Sequence, residues 1–303
     1  MTVPERCGIL GVGALGGAIA ARLASEGVKV AAHDIEADRV AALAEIGVGS
    51  ATSPRDLADH SDVVLVVLPD TPENETAFAG EPGLEAGLHE GAAVLIVSTV
   101  KPATAQDVAR RLAPRGVDVL DTPVSGGPVA ARVGGLTIMA GGSEEAYARC
   151  RPMLETLGRP VHVGPIGHGE IAKLANNLMG SVIAIGTAEG LALAAKAGAD
   201  LDKVREAIAG GSGASWVLSD WLPRTVFAGR VEADFAVELM VKDMDVLEAY
   251  ARELGVPLRA GQLARETFTA LRDAGHGDHD FSVLVAILAA EAGAPLPVDI
   301  EPR

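Results

Sequence analysis

Cysteine is nearly absent from this 303-residue sequence; Cys7 and Cys150 are its only two. Two thiols cannot supply a disulfide framework, and each is read as a small buried or half-buried residue rather than a reactive nucleophile. Basic charge is also short. Lysine and arginine together number 25 against 41 acidic residues, for a formal net charge of −16. Nucleic-acid binding needs a basic surface, so that class of partner is excluded. The same charge favours solubility and says little about fold. No N-terminal stretch reads as a secretory signal, because a glycine-rich motif begins at Gly11. The most apolar run, Leu178 to Ala195, is broken by Glu189 and several glycines. It is read as a buried helix and not as a membrane span. A reducing cytoplasm is the compartment expected. There is no internal repeat and no low-complexity tract.

What is present is a globular composition, 49% hydrophobic and 22% charged, long enough for two domains. The first half alternates strand and helix signals. Strands are expected at 7–10, 28–33, 63–68, 93–97, 117–120, 136–140 and 160–163. Helices are expected at 14–26 and 36–46, closed by Gly27 and Gly47. The unbroken apolar run VVLVVL at 63–68 is the mark of a strand buried on both faces. Strands separated by helices imply crossover units and a mainly parallel sheet. Beyond Gly164-Pro165 the strand signal ends. Helices are expected over 168–197, 201–209, 214–227, 235–254, 258–274 and 281–292, with Asp280 as an N-cap of the last. The fold expected is α/β, a Rossmann-type domain over 1–164 followed by an all-helical domain over 165–303.

The hexamer GVGALG, residues 11–16, places GxGxxG between a strand and a helix. Gly11, Gly13 and Gly16 would permit a tight turn, close approach of a pyrophosphate, and close helix–sheet packing. Ala14 and Leu15 complete the turn onto the helix N-terminus, where unpaired N–H groups and the helix dipole favour an anion. Asp34 follows at the end of the second strand. A carboxylate there accepts hydrogen bonds from the adenine ribose and repels a 2′-phosphate, which points to NAD over NADP. A methyltransferase also uses a glycine-rich first loop, but the two-domain layout tells against it.

Lysine is the scarcer cation, six residues against nineteen arginines. Arginine cannot lose its proton in a protein, whereas lysine can. Lys173 lies in GHGEIAKLANN, residues 167–177, with Asn177 four residues on and so on the same helical face. Asn176 lies beside them. Gly169, one turn earlier, would let a ligand approach the backbone. A neutral lysine so placed would take the proton of an alcohol during its oxidation and return it during reduction. That neutrality needs burial or a neighbouring cation.

Six ordered motifs span nearly the whole chain: GVGALGGAIAARLASEGVKV near the start, VLPD at 67–70, STVKP at 98–102, DTPVSGGPVAARVGGLTIMAGG at 121–142, GHGEIAKLANN, and FAVELMVKD at 235–243. In these the sequence resembles the β-hydroxyacid dehydrogenases, the group of 3-hydroxyisobutyrate dehydrogenase and tartronate semialdehyde reductase. The resemblance implies that Leu68, Pro69 and Thr99 line the cofactor and that Ser125, Gly126 and Gly127 receive the substrate carboxylate. It implies that Lys173 is the catalytic lysine with Asn177 beside it, and that Lys242 reaches the active site from the second domain, toward substrate and cofactor alike. It further implies NAD as cofactor, a small carboxylate-bearing hydroxy acid as substrate, and a homodimer or homotetramer. Two departures stand out. Val97 precedes Ser98 where the family often has an acidic residue, and Leu15 stands where methionine is common.

The same residues bear on other readings. An imine reductase of similar fold would replace the lysine and prefer NADPH, and a non-catalytic protein on this fold would have lost it. A 6-phosphogluconate dehydrogenase of the usual long type would carry an extended C-terminal domain. Trp216 would line a substrate pocket or fill a core. Lys242 would pair with Asp243 or stand as the cation that depresses Lys173. His276 and His279, in GHGDHD, mark a helix stop and start, and no metal is expected.

Overall fold

The computed structural model describes residues 6–300 except 70, 80, 81, 295 and 297–299. The chain divides into two compact units, Met1–Lys173 and Leu174–Arg303. The last strand ends at Gly164, and the division falls within the helix His168–Lys196.

The first unit holds one sheet. Its strands are β1 (Arg6–Leu10), β2 (Lys29–His33), β3 (Gly49–Ser50), β4 (Val63–Val66), β5 (Ala93–Ile96), β6 (Asp118–Asp121), β7 (Val124–Ser125), β8 (Leu136–Gly141) and β9 (Gly158–Gly164). Their order is β3-β2-β1-β4-β5-β6-β8-β7, with β9 paired to β8. The first six are mutually parallel, and β8 runs antiparallel to β6 and β7. This is the Rossmann-type sheet that the alternating strands and helices predict. The two-residue strands β3 and β7 are too short to leave a periodic signal.

Burial explains the apolar runs. Every residue of β4 and β5 is buried. Alternate side chains enter opposite faces: Leu65 and Leu95 join the core with Ile9, Ile19 and Leu23, while Val64, Val66, Val94 and Ile96 join the one with Leu57 and Leu84.

The second unit is helical over its described residues apart from two isolated β-bridges, Glu232 to His279 and Ala236 to Asp280. Its core gathers Trp221, Phe268, Phe281 and the run Val283–Ala286. Three expectations require correction. The 36–46 helix is a short helix, Ala37–Ala41, and a separate 3-10 turn, Ala44–Ile46. The 214–227 helix breaks into a π-turn at Val217–Trp221, a short helical piece at Leu222–Arg224 and a 3-10 turn at Val226–Ala228. Pro223 in that stretch lacks the N–H that a regular helix would use. Asp280 does not cap the last helix, Val283–Glu291, whose capping residue is Ser282. Its buried carboxylate instead accepts hydrogen bonds from Trp221 Nε1 at 2.8 Å and from the N–H groups of Asp234, Phe235 and Ser282. Burial raises the Asp280 carboxyl above its ordinary value against the pull of those donors.

The long helix also departs from its reading as a buried element. It is long and apolar enough to cross a membrane by length and composition, yet only a third of its most apolar window is buried. Met179, Ile183 and Leu193 are exposed along it.

Candidate active site

The parallel register sets the carboxyl ends of five strands in one row. Leu10 pairs with His33 and with Val66, Val66 with Ile96, and Ile96 with Asp121. The loops leaving those ends carry the cofactor residues expected from the sequence. Strand order reverses between β1 and β4, the position where open α/β sheets form their ligand crevice.

The glycine loop leaves β1. Gly11 has φ 90°, and a Cβ there would lie 2.3 Å from the Val67 carbonyl. A Cβ on Gly16 would sit 2.0 Å from the Gly11 carbonyl, so the loop and the first helix, Ala14–Ser25, touch backbone to backbone. Gly13 caps that helix without a side-chain hydrogen bond, and a Cβ on it would meet nothing within 4 Å. Glycine is thus required by packing at 11 and 16, while at 13 it keeps open the space in front of a helix N-terminus. Ala14 is exposed and Leu15 half-buried beside the core. This cradle fits a dinucleotide pyrophosphate.

Asp34 closes the loop from β2. Its Oδ2 accepts the Val12 N–H at 2.7 Å and its Oδ1 the Glu36 N–H at 2.9 Å. Arg39, largely exposed, places Nη1 3.6 Å from Oδ1. A carboxylate has about four acceptor positions, so room remains for ribose hydroxyls. The next residue, Ile35, is 94% exposed, the most open of the exposed large hydrophobics. Sequence reading passed over Ile35 and Arg39, although an isoleucine directly after the carboxylate that follows β2 is a signal in itself.

Leu68 and Pro69 follow β4, and Thr99 follows β5. Ser98 ties these two loops: its Oγ accepts the Leu68 N–H at 2.8 Å. Ser125 ends β7, and Gly126 and Gly127 follow with φ 126° and 70°. Both are left-handed values that glycine tolerates. A short helix, Gly127–Arg132, starts there.

Lys173 is buried, 8% exposed, at the end of the first unit. Gly169, four residues earlier, does not open the backbone to a ligand as expected. A Cβ there would meet the Met139 carbonyl at 2.4 Å and the Asp121 carbonyl at 2.7 Å, so the protein's own strands fill the space.

In the second unit Asn177 is buried, and its Nδ2 donates to Asp243 Oδ2 at 2.5 Å. Asn176 Nδ2 donates to Asn177 Oδ1 at 3.1 Å. Lys242 Nζ lies 2.7 Å from Asp243 Oδ1. Asp243 thus gathers Asn177 and Lys242 from two helices. Sequence reading treated it only as an optional partner of Lys242. Trp216 is neither buried nor isolated: it is 48% exposed, with its ring 5.0 Å from Trp221 and the Arg224 guanidinium 5.3 Å from its centre. His276 and His279 form a buried pair, their Nδ1 atoms 3.0 Å apart, and burial lowers the His276 value. Among the described residues no group of three or more His, Cys, Asp or Glu is placed to hold a metal.

Comparison with known proteins decides the family. Residues 6–167 match the family model described as the NAD binding domain of 6-phosphogluconate dehydrogenase. Residues 167–288 match the NAD-binding domain of NADP-dependent 3-hydroxyisobutyrate dehydrogenase. A 3-hydroxyisobutyrate dehydrogenase of Pseudomonas aeruginosa is 36% identical over 90% of this chain and 95% of its own. The chain belongs to the β-hydroxyacid dehydrogenase family. An NAD-dependent L-serine dehydrogenase of the same organism is 32% identical over 92% of this chain and 96% of its own. The crystal structure of a 3-hydroxyisobutyrate dehydrogenase from Salmonella typhimurium superposes with a TM-score of 0.82 at 30% identity, covering 93% of this chain and 99% of that one. This family member is therefore an oxidoreductase that works with a nicotinamide dinucleotide, and the cradle at Gly11–Gly16 has the open space that cofactor needs.

Proposed function

We propose that this dehydrogenase interconverts a small 3-hydroxy acid and its semialdehyde, with NAD as the preferred cofactor and Lys173 as the general acid–base. The observation that carries this is a buried lysine followed one helical turn later by a buried asparagine. Solvated lysines do not need such a position. Proton transfer needs a side chain that can give up its proton, as lysine can and arginine cannot.

Gly11, Gly13, Ala14, Leu15 and Gly16 would hold the pyrophosphate and Asp34 the ribose, with Ile35, Leu68, Pro69 and Thr99 along the cofactor. When bound, the nicotinamide supplies the hydride acceptor or donor. Lys173 Nζ would take the hydroxyl proton in oxidation and give it back in reduction. The Asn177 amide, oriented by Asp243 and Asn176, keeps one N–H and one lone pair for the substrate oxygen. Ser125 and the backbone of Gly126 and Gly127 would receive the carboxylate; in the second unit Lys242, held by Asp243, is the candidate cation.

The two named relatives are dehydrogenases of 3-hydroxyisobutyrate and of L-serine. Both compounds carry a carboxylate and a hydroxyl on the β-carbon, which supports a 3-hydroxy acid here. Asp34 supports NAD, since a 2′-phosphate would meet a carboxylate; Lys173 and Asp34 together disfavour the imine-reductase reading. The exposed stripe Met179, Ile183, Gly186, Gly190 and Leu193 supports a homodimer or homotetramer.

The test is turnover of a panel of 3-hydroxy acids with NAD and with NADP, scored by kcat/KM. NAD-linked oxidation of at least one member is expected. Turnover of none, or a preference for NADP, overturns the reading.

A further inference from the structure

Lys173 is useful only if its helix starts in one place. The first N–H groups of a helix have no partner within it and need acceptors from elsewhere. Here the acceptor is borrowed from the sheet. Asp121, the last residue of β6, is fully buried, and its two carboxylate oxygens accept the Gly167 and Glu170 N–H groups, each at 2.8 Å. A negative charge at that helix end is also favoured by the dipole.

Two glycines make the contact direct. A Cβ on Gly141 would lie 2.3 Å from Asp121 Oδ1 and 2.7 Å from the Gly169 nitrogen, and one on Gly169 would lie 2.8 Å from Asp121 Oδ2. No side chain fits between the strand and the helix start. A second carboxylate continues the link. Glu170, also fully buried, accepts the Val100 N–H at 3.2 Å, within the loop that carries Thr99. Lys173 stands three residues after Glu170, on the same helical face.

We infer that Asp121 and Glu170 are positioning residues that fix the height and rotation of Lys173 against the loop carrying Thr99. The inference rests on the reading of Lys173 as the proton-transfer group. Burial raises the Asp121 carboxyl above its ordinary value, while the N–H groups of Gly167, Glu170, Gly169 and Asp121 itself oppose that rise. Such a buried carboxylate does not contribute by charge at a surface; its use is geometric.

The experiment is a double-mutant cycle. Asp121→Asn keeps the shape but turns an amide N–H toward one of the two helix donors. Displacement of a reacting group by about 1 Å costs up to ~10²-fold, so a fall in kcat on the order of 10- to 100-fold is expected, with the KM for NAD little changed. In a Lys173→Ala background the same substitution should cost less than about threefold, because nothing remains to be positioned. Glu170→Ala provides a second cycle should Asp121→Asn fail to fold, with the same expectation. Equal losses in both backgrounds, or no loss in the wild-type background, overturn the positioning inference and leave the role of Lys173 standing. Wild-type turnover by Lys173→Ala alone overturns the role itself.

Discussion

The two units build their polar sites in different ways. In the first, the site is backbone: strand ends in register, a glycine loop, and N–H groups at helix starts, with side chains mainly holding loops together. In the second, it is a chain of side chains, Asn176 to Asn177 to Asp243 to Lys242, assembled from two helices, with Asn177 and Asp243 buried and the two ends half-buried. A backbone site tolerates change in side chains but not in glycine. A side-chain site tolerates nothing at its members.

The strongest way to break this contrast lies at Lys173. Lys173→Ala should lower kcat by roughly 10²-fold or more, the range for loss of a general acid–base group, without weakening NAD binding. Lys173→Arg should recover very little, because arginine keeps the charge and cannot give up the proton. Near-wild-type kcat in the arginine variant would mark Lys173 as a charge anchor only.

The glycine loop sharpens the comparison next. Gly16→Ala puts a methyl against the Gly11 carbonyl and should prevent a stable fold or lower Tm by several degrees. Gly13→Ala meets no protein atom, so Tm should hold while the KM for NAD rises about tenfold or more. Thermal melts alongside cofactor titrations separate the two; equal melting losses would show that position 13 is structural.

Asp243→Ala addresses the second unit. Removing one partner of a buried ion pair costs ~3–5 kcal/mol, and the value here should fall at or below the lower end because Lys242 retains some exposure. Chemical denaturation reads that loss. A kcat decrease should accompany it, since Asn177 loses its anchor; unchanged kcat would remove Asn177 from the site.

The smallest effect concerns the thiols, where the two-unit contrast disappears because both lie in the sheet unit's core. Burial pushes Cys7 to about 12 and Cys150 to about 11 from 9.0. At pH 8 roughly a thousandth of Cys150 is thiolate, so the native protein should resist disulfide reagents until unfolded. Because both folded values are raised, the thiol contribution to stability is intact below about pH 9 and is lost as pH rises toward 11 to 12. Prompt labelling of the native enzyme at pH 8 would contradict the burial.

What could be read from the sequence follows the same division. The sheet was legible because buried parallel strands are unbroken apolar runs, as at 63–66 and 93–96, and because Gly11, Gly13, Gly16 and Asp34 have a fixed spacing. Lys173 and Asn177 share a face at four residues' distance, so their pairing on one helix was also legible. Asp243 was not, because its meeting with Asn177 joins residues 66 apart. Asp121 was hidden likewise: it accepts the Gly167 N–H, 46 residues later, at the start of a helix, and no local pattern marks a cap borrowed from a strand. The failed helix at 214–227 shows the converse, a segment with helical composition that Pro223 keeps from becoming one helix.

The bond from the Val12 N–H to Asp34 has a practical consequence for redesign. Exchanging Asp34 for a residue that welcomes a 2′-phosphate would remove the latch on the glycine loop along with the carboxylate proposed to exclude NADP. On the proposed reading, cofactor preference and loop order are therefore a single variable at this position. An engineered switch should begin at Arg39 and Ile35, which line the same strand end without holding the loop, and leave the carboxylate for last.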